Sequence, residues 1–364
     1  MAEQASNNGT LGMRSASLGV RLWPLLMPAA IVTVISLLAM VGSEVLERKA
    51  SLMLVNLVFV IGLFVFVGNS GVLSFGHASF MALGAYTFAF MTANPQLKNT
   101  TLPDAPGFLR NADLATWQAV GLSALVPAVF ALIVALPLMR LNGLAAGIAT
   151  LAMLFAVGVL IANWESLTGG RTSFPAIRRV TDVPFSLSAA LVMLVLAFIY
   201  QQSSSGLRLR GTREDQLAAR SLGINVVKER TIAWVISAAL VGVSGAMLAG
   251  FLGTINPEQF FLGARSAGGV TFVTIAMLVV GGITSLSGAV IGAVFISGVS
   301  EGLREIEDVV EVNNLTNIVL AVILLLTLIL RPKGITGGRE IYWPFKREQT
   351  MRRPPDATAP ATTE

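Results

Sequence analysis

Cysteine is absent from the 364 residues, and histidine occurs once, as His77. The first absence removes disulfide frameworks, thiol nucleophiles and cysteine-ligated metals. The second leaves any imidazole metal site or Ser-His-Asp relay resting on one residue, which argues against a zinc enzyme or a hydrolase. Charge is scarce as well: 12% of residues are charged and 54% are hydrophobic, with a mean hydropathy of +0.74. Soluble domains carry roughly 25% charged residues, so the surplus of apolar surface calls for lipid as the solvent. A phosphate-cradling G-x-x-x-x-G-K-[ST] loop is also missing, so any dependence on ATP must come from another chain.

What the sequence has in abundance is uncharged length. No charged residue occurs in 22–43, 50–97 or 114–139, and the first and third of these runs match helices that cross ~30 Å of hydrocarbon. Outer-membrane strands would alternate polar and apolar residues, whereas 31–40 and 320–330 are apolar on nearly every residue. The expected fold is therefore all-α, a polytopic transmembrane helical bundle of about 8–10 membrane segments. Candidate segments are 23–41, 52–67, 72–91, 117–139, 141–163, 184–201, 231–252, 270–281, 286–300 and 314–330. Those at 52–67, 270–281 and 286–300 are short and lie beside Gly68, Gly71, Gly281 and Gly282, which predicts broken or re-entrant helices there.

Basic residues set the orientation. Arg208, Arg210, Arg213, Arg220, Lys228 and Arg230 crowd the 203–230 loop, and a second basic run follows Leu330. Both are expected on the cytoplasmic side; the acidic 301–313 loop and the long 92–116 loop are expected outside. Ten segments with both termini inside satisfy all four placements. The chain then divides into a cytoplasmic tail at 1–22, a permease domain at 23–338 containing the 203–230 loop, and a cytoplasmic tail at 339–364. The Pro, Ala and Thr of 352–364 predict disorder. A pI near 10.0 could suggest nucleic acid, but in a membrane chain the excess of Lys and Arg serves orientation, so the expected surroundings are lipid and protein, with no nucleic-acid partner.

Three motifs carry functional signal. GNSGVLSFGHASFMALGAY, from Gly68 to Tyr86, is rich in small residues, which let helix backbones approach closely. One reading is plain packing, with His77 bonded to a neighbouring helix. The other is a helix break that turns backbone carbonyls, Ser74, Gly76 and His77 toward a solute path. GGITSLSGAVIGAVF, from Gly281 to Phe295, echoes it and contributes Gly281, Gly282 and Ser287 to the candidate path.

The third motif lies in the basic loop. Thr212 as N-cap, Asp215 three residues on and Gly223 as C′ residue predict a helix over Arg213 to Leu222, with Glu214 and Asp215 at its positive start. Leu217, Ala218, Ser221 and Leu222 share one face. An interfacial lipid anchor would carry larger apolar residues, so this small face suits docking into a protein cleft.

In order along the chain, GNSGVLSFGHASFMALGAY, LNGLAAGIATLAM (Leu141 to Met153), TREDQLAARSLGINVVKER, INPEQF, GGITSLSGAVIGAVF and RPKGITG resemble the permeases of branched-chain amino acid ABC importers, of the larger M-type. The likeness covers roughly residues 50–338. It implies a bacterial inner-membrane complex with a second, homologous permease, two cytoplasmic ATPase subunits and a periplasmic solute-binding protein. ATP and Mg would bind on the ATPases, with no cofactor, metal or catalytic residue on this chain. It also implies that Arg213, Glu214, Asp215, Ala218, Ala219 and Gly223 form the coupling segment, matching the family's E-A-A-x-x-x-G pattern except that Leu217 stands where that pattern has Glu. A second departure, RTSFPAIRRV after Gly170, touches the substrate, since related permeases carry urea, amides or other amino acids. A secondary transporter or channel, or a membrane-embedded enzyme, would need ionisable groups within the spans, and these are nearly absent.

Overall fold

A computed structural model describes residues 18–101, 105–174, 176–261, 269–310 and 315–340. Most of the two expected tails, at 1–17 and 341–364, and part of the acidic loop, at 311–314, lie outside the described residues. The described chain is helical throughout its apolar runs: α1 (Leu18–Val41), α2 (Glu44–Ser70), α3 (His77–Thr92), α4 (Thr116–Leu138), α5 (Gly143–Asn163), α6 (Val183–Gln202), α7 (Ser204–Glu214), α8 (Gln216–Ser221), α9 (Val226–Leu252), α10 (Gly269–Gly281), α11 (Leu286–Val310) and α12 (Leu315–Leu330). Each of the ten expected segments coincides with one of these, and seven of the described helices are long and apolar enough to cross a membrane.

Two of the expected breaks are corrected. The segment read as 52–67 is part of α2, an uninterrupted helix of 27 residues. Its charged residues, Glu44, Glu47, Arg48 and Lys49, fall in its first two turns; Ser43 Oγ caps the Leu46 amide (3.4 Å), and Glu44 and Glu47 sit at the positive helix start. The segment read as 286–300 is likewise part of the 25-residue α11. Of the three segments expected to be short, only α10, at 13 residues, is so. The real interruption near the first motif comes after Ser70. Gly71 takes a left-handed φ of +70° and its amide closes on the Val67 carbonyl (2.9 Å), and the chain runs without helix to Gly76 before α3 begins.

The core is built on α2 and α9, which run antiparallel: Ser237 Oγ donates to the Gly62 carbonyl (2.6 Å) and Ser244 Oγ to the Val55 carbonyl (3.0 Å). α9 also packs along α3 and α4. Small residues make this possible: a Cβ on Gly245 would fall on the Met81 carbonyl, and one on Gly84 on the Gly242 backbone. Gly298, by contrast, has nothing within 4 Å of the same position. Substitution should therefore have opposite signs at the two sites. Gly245→Ala is expected to cost ~1–3 kcal/mol of overpacking, and Gly298→Ala to gain ~0.5–1 kcal/mol from helix propensity. Thermal midpoints of the detergent-solubilised protein measure both.

The bundle has a basic end, where α7, α8 and the segment after α12 gather, and an opposite end formed by the α3–α4 and α5–α6 connections. At the opposite end Lys98, though buried, satisfies its ammonium with the carbonyls of Phe90 (2.8 Å), Leu109 (3.3 Å) and Ala112. Burial pushes its pKa below the ordinary lysine range, while Asp113 acts in the other direction. Asp113 itself pairs with Arg178 at 2.7 Å, tying the two connections together.

Candidate functional site

The break between α2 and α3 is held from three sides. Its Phe75 amide donates to Thr150 Oγ1 on α5 (3.2 Å) and its Gly76 amide to Ser74 Oγ (3.4 Å). His77, the first residue of α3, bridges Ser74 Oγ through Nδ1 and Ser237 Oγ on α9 through Nε2, both at 2.8 Å. Because Ser237 gives its proton to the Gly62 carbonyl, the network assigns Nε2 as the donor to Ser237 and Nδ1 as the acceptor from Ser74. Phe66, Phe80 and Trp234 close around the imidazole, with ring centroids 5.0–5.7 Å away. Ser74 and His77 are each 1% exposed. In this conformer the histidine is a fastener between the break and α9.

His77→Gln keeps one amide able to donate and accept and should retain measurable transport. His77→Ala leaves the Ser74 hydroxyl proton without its acceptor and removes one of the two partners of Ser237, at a cost of ~1–3 kcal/mol, and should lower the thermal midpoint by more. The difference in melting between the two variants checks the bridge.

The second glycine motif forms the turn between α10 and α11. Gly281 and Gly292 lie so close that a Cβ on Gly292 would fall on the Met277 carbonyl. Gly282 and Ser287 are buried. The chain after α12 returns to this turn: the Ile335 amide donates to the Val280 carbonyl (2.8 Å), and Thr336 to the Gly281 carbonyl through Oγ1 (2.9 Å). Glu340 then caps the start of α11, its carboxylate accepting from the amides of Leu286 (2.8 Å) and Ser287 (3.2 Å) and from Ser287 Oγ (2.7 Å). The two glycine motifs meet at Gly68, where a Cβ would stand 2.7 Å from the Ile283 carbonyl.

The basic segment is folded differently from the sequence expectation. No helix runs from Arg213 to Leu222. Instead α7 ends at Glu214 and α8 starts at Gln216, the break falling at Asp215 in extended conformation. Thr212 is inside α7 and buried, donating to the Leu209 carbonyl (2.7 Å). Asp215 is the N-cap, accepting from the amides of Leu217 (2.8 Å) and Ala218 (2.9 Å). At the other end Gly223 has φ +79°, with Gly223 N bonded to the Arg220 carbonyl (2.9 Å) and Ile224 N to the Ala219 carbonyl (3.1 Å), a Schellman closure. Ala219 faces inward; Leu217, Ala218, Ser221 and Leu222 are all exposed, the two leucines by 76% and 82%.

Arg213 ties this segment to the glycine break. Its Nη1 donates to the Gly68 carbonyl (2.6 Å), its aliphatic stem lies against Gly71, and Nε and Nη2 hold Glu214. One guanidinium thus touches the end of α2 from the foot of α8. Sequence reasoning missed two further features: Glu340, whose role needs a tertiary contact, and Asn56, the one carboxamide between Ala50 and Gly68, which faces a cleft in the opposite half of the bundle.

A many-spanned helical membrane protein whose interrupted helices converge beneath an exposed, doubly capped helix is built as a transport permease. The sequence matches the family described as the permease component of branched-chain amino acid transport systems over residues 45–328, and the chain belongs to that family. It is 28% identical over 320 residues to the high-affinity branched-chain amino acid transport system permease protein LivM of Salmonella typhimurium, covering 79% of this chain and 68% of that protein. The corresponding LivM of Escherichia coli K12 is 27% identical over the same shares. The permease LivH of Salmonella typhimurium is 32% identical over 179 residues, 49% of this chain and 54% of its own. No solved structure matches the chain.

Proposed function

We propose that this chain is the larger of two homologous permease subunits in an ATP-driven importer of branched-chain amino acids, set in a bacterial inner membrane with its basic end in the cytoplasm. Similarity to both LivM and LivH supports the permease pair, and the arginines of 203–230 support the orientation. Two ATPase subunits, carrying ATP and Mg, dock on the basic end, and a periplasmic solute-binding protein delivers the amino acid to the opposite end.

The observation that carries this reading is the exposed face of α8 joined through Arg213 to Gly68. Leu217, Ala218, Ser221 and Leu222 offer a small docking knob, and Arg213, Glu214, Asp215, Ala219 and Gly223 fix it against the bundle. ATPase closure would pull on the end of α2. The inner gate of the path is then the pair of glycine-rich turns, Ser74, Gly76 and His77 on one side and Gly281, Gly282 and Ser287 on the other, packed shut in this conformer.

Proteoliposomes holding the whole complex test the reading. Leucine, isoleucine and valine should accumulate only with ATP and the binding protein. Uptake of urea or short amides with no uptake of these three would overturn the substrate, and leucine uptake by this chain without an ATPase would overturn the mechanism.

A further inference from the structure

In the half of the bundle away from the basic end, two adjoining cavities of about 150 and 300 Å³ open between α2, α10 and α11, the larger reaching α9 as well. Leu52, Asn56, Val273 and Arg304 line both. The larger one has the volume of a small ligand site, where pockets run from ~300 Å³ upward, and its walls divide by chemistry. Met81, Leu248 and Val270 give an apolar side; Asn56, Gln259, Thr274 and Arg304 give a polar one.

Asn56 is the unusual member. A carboxamide amid the apolar residues of a membrane helix is costly without partners, yet among the described residues Asn56 has no side-chain hydrogen-bond partner, and it is partly open to the cleft. Ser297, lining the smaller cavity, is 7% exposed and its Oγ likewise has no partner among the described residues. Gln259 spends its carboxamide oxygen on the Asn256 amide (3.3 Å), which leaves its NH2 group. Arg304 commits Nη1 to Glu301 (3.1 Å) and lines both cavities. Unspent donors and acceptors of both kinds thus converge opposite an aliphatic wall.

We infer that this cleft is a recognition site on the solute path for a neutral α-amino acid. Arg304 and the Gln259 NH2 receive the carboxylate, the Asn56 and Ser297 oxygens receive the ammonium, and Met81, Leu248 and Val270 accept a branched aliphatic side chain. The site rests on the importer reading above but lies apart from the glycine gate, and Asn56 is its central residue.

The test uses the assembled importer in proteoliposomes. Asn56→Leu removes the amide and leaves an apolar residue of similar size in an apolar helix. A merely structural Asn56 predicts unchanged or improved melting with uptake preserved; a recognition role predicts unchanged melting and leucine uptake reduced at least ~tenfold, about 1.4 kcal/mol. Because the chain has no cysteine, Asn56→Cys gives a second reading that survives if the first variant fails to assemble. A cationic methanethiosulfonate reagent applied from the periplasmic side should modify it, and saturating leucine should slow that reaction severalfold while urea does not. Uptake preserved in Asn56→Leu, or an Asn56→Cys thiol that is inert or indifferent to leucine, overturns the inference. If the parent complex itself does not carry leucine, the importer reading falls instead.

Discussion

Ala218→Trp is expected to strip the ATPase from the purified complex, lowering its recovery at least ~tenfold and leucine uptake with it. Ala218 is on the exposed face of α8, between the Asp215 cap and the Schellman closure at Gly223. An indole there adds bulk where a docked groove must approach the backbone. The residue contacts nothing that holds the bundle together, so insertion and melting of the permease should be unchanged. Co-purification of the ATPase with the tagged permease measures the effect. Normal recovery together with substrate-stimulated ATP hydrolysis would exclude α8 as the docking element and return it to the role of a lipid-surface anchor.

Arg213→Ala should separate docking from transmission. The ATPase is expected to remain bound, because α8 keeps both caps, but leucine carried per ATP hydrolysed should fall about tenfold. The reason is geometric. Arg213 is the residue of the loop whose guanidinium reaches the Gly68 carbonyl (2.6 Å) and whose stem fills the space beside Gly71. With Ala the loop loses its hold on the end of α2, so movement of α8 is dissipated before it reaches the break. Parallel assays of ATP hydrolysis and uptake in one preparation check this, and a fall in both by the same factor would place Arg213 in docking after all.

The ten helices were legible because lipid demands long runs without charge, and this chain supplies them in nearly unbroken form. Where the reading went astray, glycine was given one meaning when it has two. Gly68 does not interrupt α2; a Cβ there would stand 2.7 Å from the Ile283 carbonyl, so its smallness serves approach to the α10–α11 turn. Gly71, with φ +70°, is the glycine that ends the helix. Nothing local distinguishes the pair, since the difference lies in what packs against them.

The basic loop shows a related limit. Thr212 and Asp215 are both fit to cap a helix, and three residues apart they suggest a capping box. The outcome depends on α7, whose Leu209 is fully buried in the bundle and which holds Thr212 inside its own ladder, leaving Asp215 to start α8. Asn56 could have been found earlier: it is the one amide between Ala50 and Gly68, and an amide in hydrocarbon calls for a partner or a cavity.

The contact between Glu340 and the start of α11 also bears on how the protein is made. The amides of Leu286 and Ser287 enter the membrane region 54 and 53 positions ahead of the carboxylate that caps them. While the chain emerges from the ribosome, that helix start has only its local cap, Ser285 Oγ accepting from the Gly288 amide (3.1 Å), and the α10–α11 turn gains its final partners only when residues 331–340 arrive. The α10–α11 turn therefore matures only after the segment that follows α12 has been made. A nascent chain released before Glu340 would expose free helix-start amides at the membrane face, a local mark of incompleteness that quality-control proteases could read.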